Sequence, residues 1–389
     1  MRVLITCTPV DTHFLPMLPL IRALTGAGHE VLVAGQPDVT GAAAAAGLET
    51  ATFGEAFHHL DLRQGRRPEG LRPIEVTGRP PARQIDGAAQ MWRNHAPYYL
   101  YDYLETAREW RADLVLGDHM EFAAPVVAAV LGVPSVWHRW GVAPTSEFML
   151  GQARMWLGPL CGRLGLDSVP VPDLTLDPAP PSLASTDAPP ARPIRPEPHT
   201  GGGTPHAYAT GPGRRVAVAL HGHTLALDGA PLLRRVLRAL AAAGGVEAVV
   251  SVAPEYRDAV GALPEGMTYT ARTAPGLLLP GADLAVHHGG PGSTLAAAAL
   301  GVPQLVLPQL DEAFVAGDRV AAAGAGISLD TAERQNSDAV LAEALSTLLT
   351  DPAPRLGARR LRDEIRSMPT PADTVTVLEH LATRREVLV

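Results

Sequence analysis

The chain has 389 residues, of which 46% are hydrophobic, and a formal net charge of -8. That length exceeds one ordinary core and predicts two domains of roughly 150 to 200 residues each. The acidic balance argues against a nucleic-acid surface, which needs clustered Lys and Arg. The two cysteines, Cys7 and Cys161, cannot build a disulfide framework, and no apolar run reaches the roughly 20 residues that span a bilayer. With no leader pattern in "MRVLITC", the default expectation is a soluble cytoplasmic protein without membrane partners.

In chain order, "RVLITC" reads as a buried strand and "FLPMLPLIRALTGAG" as a helix, with Leu15, Leu18, Ile21 and Leu24 near helical spacing and Gly28 as its stop. "EVLVAG" is a second strand, and "TGAAAAAG" a second helix ending at Gly47. Such alternation predicts a parallel sheet with right-handed crossovers. "APYYLYDYLETAREW" reads as a helix, "ADLVLGD" as a strand ending at Asp118, "FAAPVVAAVLG" as a helix and "VPSVWHRW" as a strand running into a loop. Residues 168–213 are rich in Pro and end in Gly, so they read as a last edge strand and an interdomain connection. The pattern restarts at "RRVAVALHG". It continues through the helix "APLLRRVLRALAAAG", the strand "VEAVVSV", the short apolar segment "GLLLPG", the strand "ADLAVHH", the helix "STLAAAALG" and the strand "VPQLVLP". The expectation is an α/β fold of two Rossmann-like parallel-sheet domains facing across a cleft. The first domain spans 1–200, a linker 201–213, the second domain 214–370, and a terminal helix 371–389 packs back on the first domain.

The densest chemistry lies in "VHHGGPGSTLAAAALGVPQLVLP", residues 286–308. A buried strand enters, "GGPG" turns, Ser293 is placed to cap the next helix, and Gly301 closes it. That puts two histidines and three glycines at the carboxyl end of a parallel strand and the amino end of a helix, where open α/β sheets bind ligands. Free N–H groups and the helix dipole favour an anion there. The residues support either a diphosphate cradle or simply a tight strand-to-helix turn.

"VHHGGPGST" followed by "GVPQLVLPQLDEAF", together with the opening "MRVLITCTPVDTHFLPMLPLIRALTGAGHEVLVA", "LGVPS" and "MPTPADTV", resembles the GT-B glycosyltransferases that decorate bacterial natural products. The likeness runs over nearly the whole chain. It implies sugar transfer from a nucleotide-sugar co-substrate, a dTDP-deoxysugar, to a hydrophobic acceptor such as a polyketide, with inversion and without a metal or other cofactor. His288 would then hydrogen-bond the donor diphosphate, with Gly289, Gly290, Gly292, Ser293 and Thr294 supplying backbone and hydroxyl contacts. Asp311 would bind sugar hydroxyls, and Glu312 stands where the family usually has Gln. Because an ionised carboxylate only accepts hydrogen bonds, the sugar's polar pattern is expected to differ from that of a common hexose. Arg272 lies nearest the family's base-stacking aromatic, and "LHGHT", with Gly222, is expected to form a second loop near the diphosphate.

His13, after "TPVDT", falls at the start of the first helix, where a positive helix end keeps imidazole neutral. Asp118 ends a strand of the same domain and is placed to orient that ring. The resemblance implies a His and Asp pair that deprotonates the acceptor hydroxyl; from residue types alone, both simply cap helices. Other histidines that could suggest a metal, at 58, 59, 119, 138, 221 and 223, form no His-x-x-x-His with an acidic partner, and the chain has no Asp-x-Asp pair. Met91, Trp92, Trp140, Phe148 and Met149 are candidates for an apolar acceptor wall, a core helix face being the equal alternative. An NAD-dependent oxidoreductase is the second reading, opposed by "TPVDTH" where Gly-x-Gly-x-x-Gly would stand. A non-catalytic partner of the same fold is the third. A homodimer or an auxiliary protein is left open.

Overall fold

A computed structural model describes the chain except residues 59–60, 62–66, 82–89, 186–187, 202–207, 209–212, 311 and 387–389. It contains two parallel sheets. The first comprises β1 (Arg2–Thr6), β2 (Glu30–Gly35), β3 (Glu49–Thr52), β4 (Leu114–Asp118), β5 (Ser135–His138), β6 (Leu174–Asp177) and β7 (Arg192–Pro193). Their spatial order is β3-β2-β1-β4-β5-β6-β7. The second comprises β8 (Arg214–Ala219), β9 (Val246–Ser251), β10 (Met267–Thr270), β11 (Leu284–His287), β12 (Gln304–Val306) and β13 (Gly326–Ser328), in the order β10-β9-β8-β11-β12-β13.

Both sheets wind outward in two directions from their first strand. The loops that follow β1 and β4 therefore leave side by side, as do those that follow β8 and β11, and this reversal point is where a doubly wound sheet opens a crevice. The central strands are apolar throughout because helices cover both faces: Val3, Leu4, Ile5, Leu114, Val115 and Leu116 are fully buried. The edge strands β3, β10 and β13 are short, and β3 and β10 are polar and partly exposed, so periodicity did not mark any of the three. Two helices that also escaped the sequence reading, Asp338–Thr350 and Pro352–Ser367, pack onto the second domain.

An apolar layer joins the domains, with Val142, Ala179 and Leu183 of the first meeting Leu295, Leu361 and Ile365 of the second. The helix Pro371–Glu386 leaves the second domain and lies on the helix Leu18–Gly26. Its Val375 and Leu378 join Leu20, Ile21 and Leu24 in the first domain's core, and Glu379 Oε1 sits 3.0 Å from His29 Nε2. No helix among the described residues is long and apolar enough to cross a membrane.

Candidate active site

A cavity of about 1030 Å³ opens between the domains, walled by loops that follow β1, β5, β8, β9, β10, β11 and β12. On the second-domain side, β11 delivers His287 and His288. They are adjacent but have different fates. His287 is 2% exposed; its Nδ1 accepts from the Gly289 N–H at 3.0 Å, leaving Nε2–H to donate to Gln304 Oε1 at 2.9 Å. It shapes the turn from beneath. His288 faces the cavity.

Two glycines make that arrangement possible. Gly289 has φ +91, and a β-carbon there would meet Ala313 O at 2.8 Å; one on Gly290 would meet His288 Nε2 at 2.5 Å. The helix Pro291–Leu300 then starts on Gly290, with Pro291 in its first turn, and its amino end (Gly290, Pro291, Gly292 and Ser293) lines the cavity. Exposed N–H groups at a helix start attract anions.

On the first-domain side, β1 leads into a helical run that begins Asp11–Phe14 and continues through Leu15–Met17 into Leu18–Gly26. His13 is its third residue and lines the cavity. Thr8 lies between His13 and Asp118. Its hydroxyl donates to Asp118 Oδ2 at 2.9 Å and lies 2.6 Å from His13 Nδ1. A hydroxyl has one proton, so with Asp118 receiving it, Thr8 must accept from the Nδ1–H of His13. The neutral ring is thereby held with Nε2 unprotonated. Asp118 is fixed in turn by the N–H of Thr8 at 2.6 Å and of Met120 at 2.7 Å. Burial, with the Glu121 carboxylate nearby, pushes Asp118 up to about 6 against the donation it receives. Trp140 stacks flat on His13, and Trp92 meets the same ring edge-on.

Family models for the erythromycin biosynthesis protein CIII-like N-terminal and C-terminal domains match residues 22–222 and 234–381. The chain belongs to the EryCIII-like family. It is 37% identical to the L-demethylnoviosyl transferase of Streptomyces niveus over 380 residues, 96% of each chain. It is 34% identical to the elloramycin glycosyltransferase ElmGT of Streptomyces olivaceus, covering 97% of both. The solved spinosyn rhamnosyltransferase SpnG complexed with thymidine diphosphate superposes with a TM-score of 0.86 at 35% identity, over 97% of this chain and 100% of that one. These likenesses make this EryCIII-like chain a GT-B glycosyltransferase.

Among the residues anticipated from sequence, the EryCIII-like fold brings His13, Trp92, Trp140, Arg272, His288, Gly290, Gly292, Ser293 and Glu312 to one cavity. Several others are corrected. Asp118 does not reach His13 directly, because Thr8 fills the gap. Ser293 is not the helix cap: the helix opens at Pro291, three residues before the start that cap would give, and Gly290 takes the cap position. Thr294 is fully buried with its hydroxyl on Gly290 O, and Gly289 lies beneath the cavity wall against Ala313. "LHGHT" is no loop; Gly222 falls in the helix His221–Ala226, from which Thr224 lines the cavity, while the side chains of residues 221–223 lie outside the described ones. Arg272 lines the cavity, and its Nη2 lies 3.2 Å from Asp11 Oδ2 of the first domain. Phe148 is exposed and Met149 is packed in the first domain's core, both on the helix Glu147–Arg163 and away from the cavity. Asp311 and the side chain of Met91 lie outside the described residues. The sequence reading missed Thr8 and Gln309. Thr8's spacing to His13 was visible, but nothing in residue type marks an interposed hydroxyl.

Proposed function

We propose that this glycosyltransferase uses a dTDP-sugar donor and inverts the anomeric centre, with His13 as the base and no metal ion. The observation that carries the reading is the placement of His13 and the Gly290–Ser293 helix start on one cavity, from opposite domains. The acceptor hydroxyl gives its proton to Nε2 of His13, and its oxygen attacks the anomeric carbon from the face opposite the diphosphate. The bond from that carbon to the diphosphate oxygen breaks, and its electron pair leaves with the diphosphate. The developing negative charge meets His288 and the helix N–H groups, where a preorganised donor typically contributes about 3 kcal/mol. Trp92, Trp140 and the proline-rich first-domain rim offer apolar surface to a flat or macrocyclic acceptor. The thymidine diphosphate bound by SpnG and its complex with the spinosyn aglycone support both substrate classes.

The test is His13→Ala, assayed for transfer and, by calorimetry, for dTDP binding. Transfer is expected to vanish while dTDP affinity is unchanged, and wild-type transfer is expected to survive EDTA. Near-normal turnover in His13→Ala would remove His13 from the mechanism.

A further inference from the structure

A stretch of the first domain lies against the second domain at some distance along the chain from the linker. Arg67 Nη2 reaches Asp228 Oδ2 at 2.6 Å, and Arg79 pairs with Asp318 and with Asp330. Between these anchors Arg72 is 2% exposed, an unusual place for a guanidinium. It precedes the short helix Pro73–Thr77. Its Nη1 donates to Gln335 Oε1 at 2.5 Å, and its Nη2 to Asn336 Oδ1 at 2.7 Å and Glu75 Oε1 at 3.1 Å. Asn336 Nδ2 returns a bond to Glu75 Oε1 at 2.8 Å.

Gln335 is fully buried and has all its polar groups committed. Nε2 donates to Pro308 O at 3.0 Å and Leu329 O at 2.7 Å, so the amide orientation is fixed and Oε1 must face Arg72. The same oxygen accepts Gln309 Nε2 at 2.7 Å, which fixes the second amide as well. Gln309 and Leu310 line the cavity in the loop that follows β12, next to the loop bearing His288. The chain of contacts thus runs from a first-domain arginine through Gln335 to the cavity wall of the second domain. Stability alone does not call for it: a buried ion network is often no more stabilising than apolar residues of the same volume, and what it does supply is fixed orientation.

Resting on the reading above, we infer that Arg72 is a positioning residue for the donor, holding the Pro308–Leu310 loop, through Gln335, in the shape that receives the sugar. Arg72 itself does not line the cavity. The first domain would then contribute to donor selection without touching the donor.

The test compares Arg72→Met, Arg72→Lys and Gln335→Leu with the wild type. Donor KM, acceptor KM, kcat, dTDP affinity and Tm are measured for each. The expected result for Arg72→Met is a donor KM raised about tenfold, with acceptor KM and dTDP affinity within twofold, since dTDP lacks the sugar. Arg72→Lys should fall between it and the wild type, and adding Arg72→Met to Gln335→Leu should change donor KM little further, as expected if Arg72 acts only through Gln335. A lowered Tm with donor KM unmoved in Arg72→Met, or in Arg72→Lys if Arg72→Met does not fold, would overturn the inference and leave Arg72 a structural tie. A wild type that transfers no sugar from any dTDP donor would instead overturn the proposed function on which it rests.

Discussion

Trp140 lies flat on the imidazole of His13, with ring centroids 3.6 Å apart and planes 11° from parallel. The indole is itself buried and held edge-on by His119 at 4.1 Å, so it cannot swing away to follow a substrate. When His13 takes a proton, that π face lies against a new cation, an attraction of about 0.5 to 2 kcal/mol. Trp140→Leu is expected to lower kcat by roughly two- to thirtyfold, with donor KM unchanged, and Trp140→Phe to recover part of the loss. Steady-state kinetics at saturating donor check this; an acceptor KM effect alone would return Trp140 to a simple acceptor wall.

Thr8 carries a prediction that separates orientation from shape. Thr8→Val keeps the volume but removes the hydroxyl that joins Nδ1 of His13 to Asp118. The ring loses its tautomer control, and kcat should drop by about a hundredfold, within the range that a positioned base contributes. Thr8→Ser should stay within a fewfold of the wild type. Both variants should bind dTDP normally by calorimetry, because Thr8 belongs to the other domain from the helix start at Gly290.

The pH dependence follows from Asp118, raised to about 6 by burial and then by Glu121. Protonation removes the negative charge that, through Thr8, favours a proton on His13, so kcat should fall as pH drops through about 6. Stability moves the other way. The folded value lies above the ordinary 3.8, so the native state holds this proton more tightly than the unfolded chain does. From this group alone stability rises as pH falls from above 6 towards 4, by on the order of 3 kcal/mol. Glu121 accepts from Tyr103 at 3.3 Å and sits 3.0 Å from His95 Nε2. Glu121→Gln removes the like charge and should shift the acid limb of the kcat profile to lower pH. An unmoved limb would show that another group governs it.

Much of this was readable because apolar runs bounded by Gly and Pro are strong signals for buried parallel strands, as in "RVLIT" and "LVLGD". The edge strands Glu49–Thr52 and Met267–Thr270 were not, since partly exposed strands carry no apolar run and only sheet pairing reveals them. At the site, His288 and its glycines stood out because the turn demands those residue types. Which of the two adjacent histidines packs beneath the turn, as His287 does, was not legible, because burial is not written in residue type. Phe148 and Met149 were misplaced for a related reason: an aromatic and a methionine on one helix serve a cleft or a core equally well until the helix's rotation is known. Thr8 and Arg72 act through partners 110 and 263 positions away, a separation that local pattern cannot bridge.

The contact between His29 and Glu379 joins residues 350 positions apart. Val375 and Leu378 close an apolar layer whose other buried members lie between Val3 and Ile194. A ribosome therefore extrudes the first domain with one greasy flank uncovered, and that flank waits for Val375 and Leu378 to emerge before it is sealed. Chaperone dependence and the timing of nascent-chain compaction, rather than any property of the finished enzyme, are where that wiring leaves its mark.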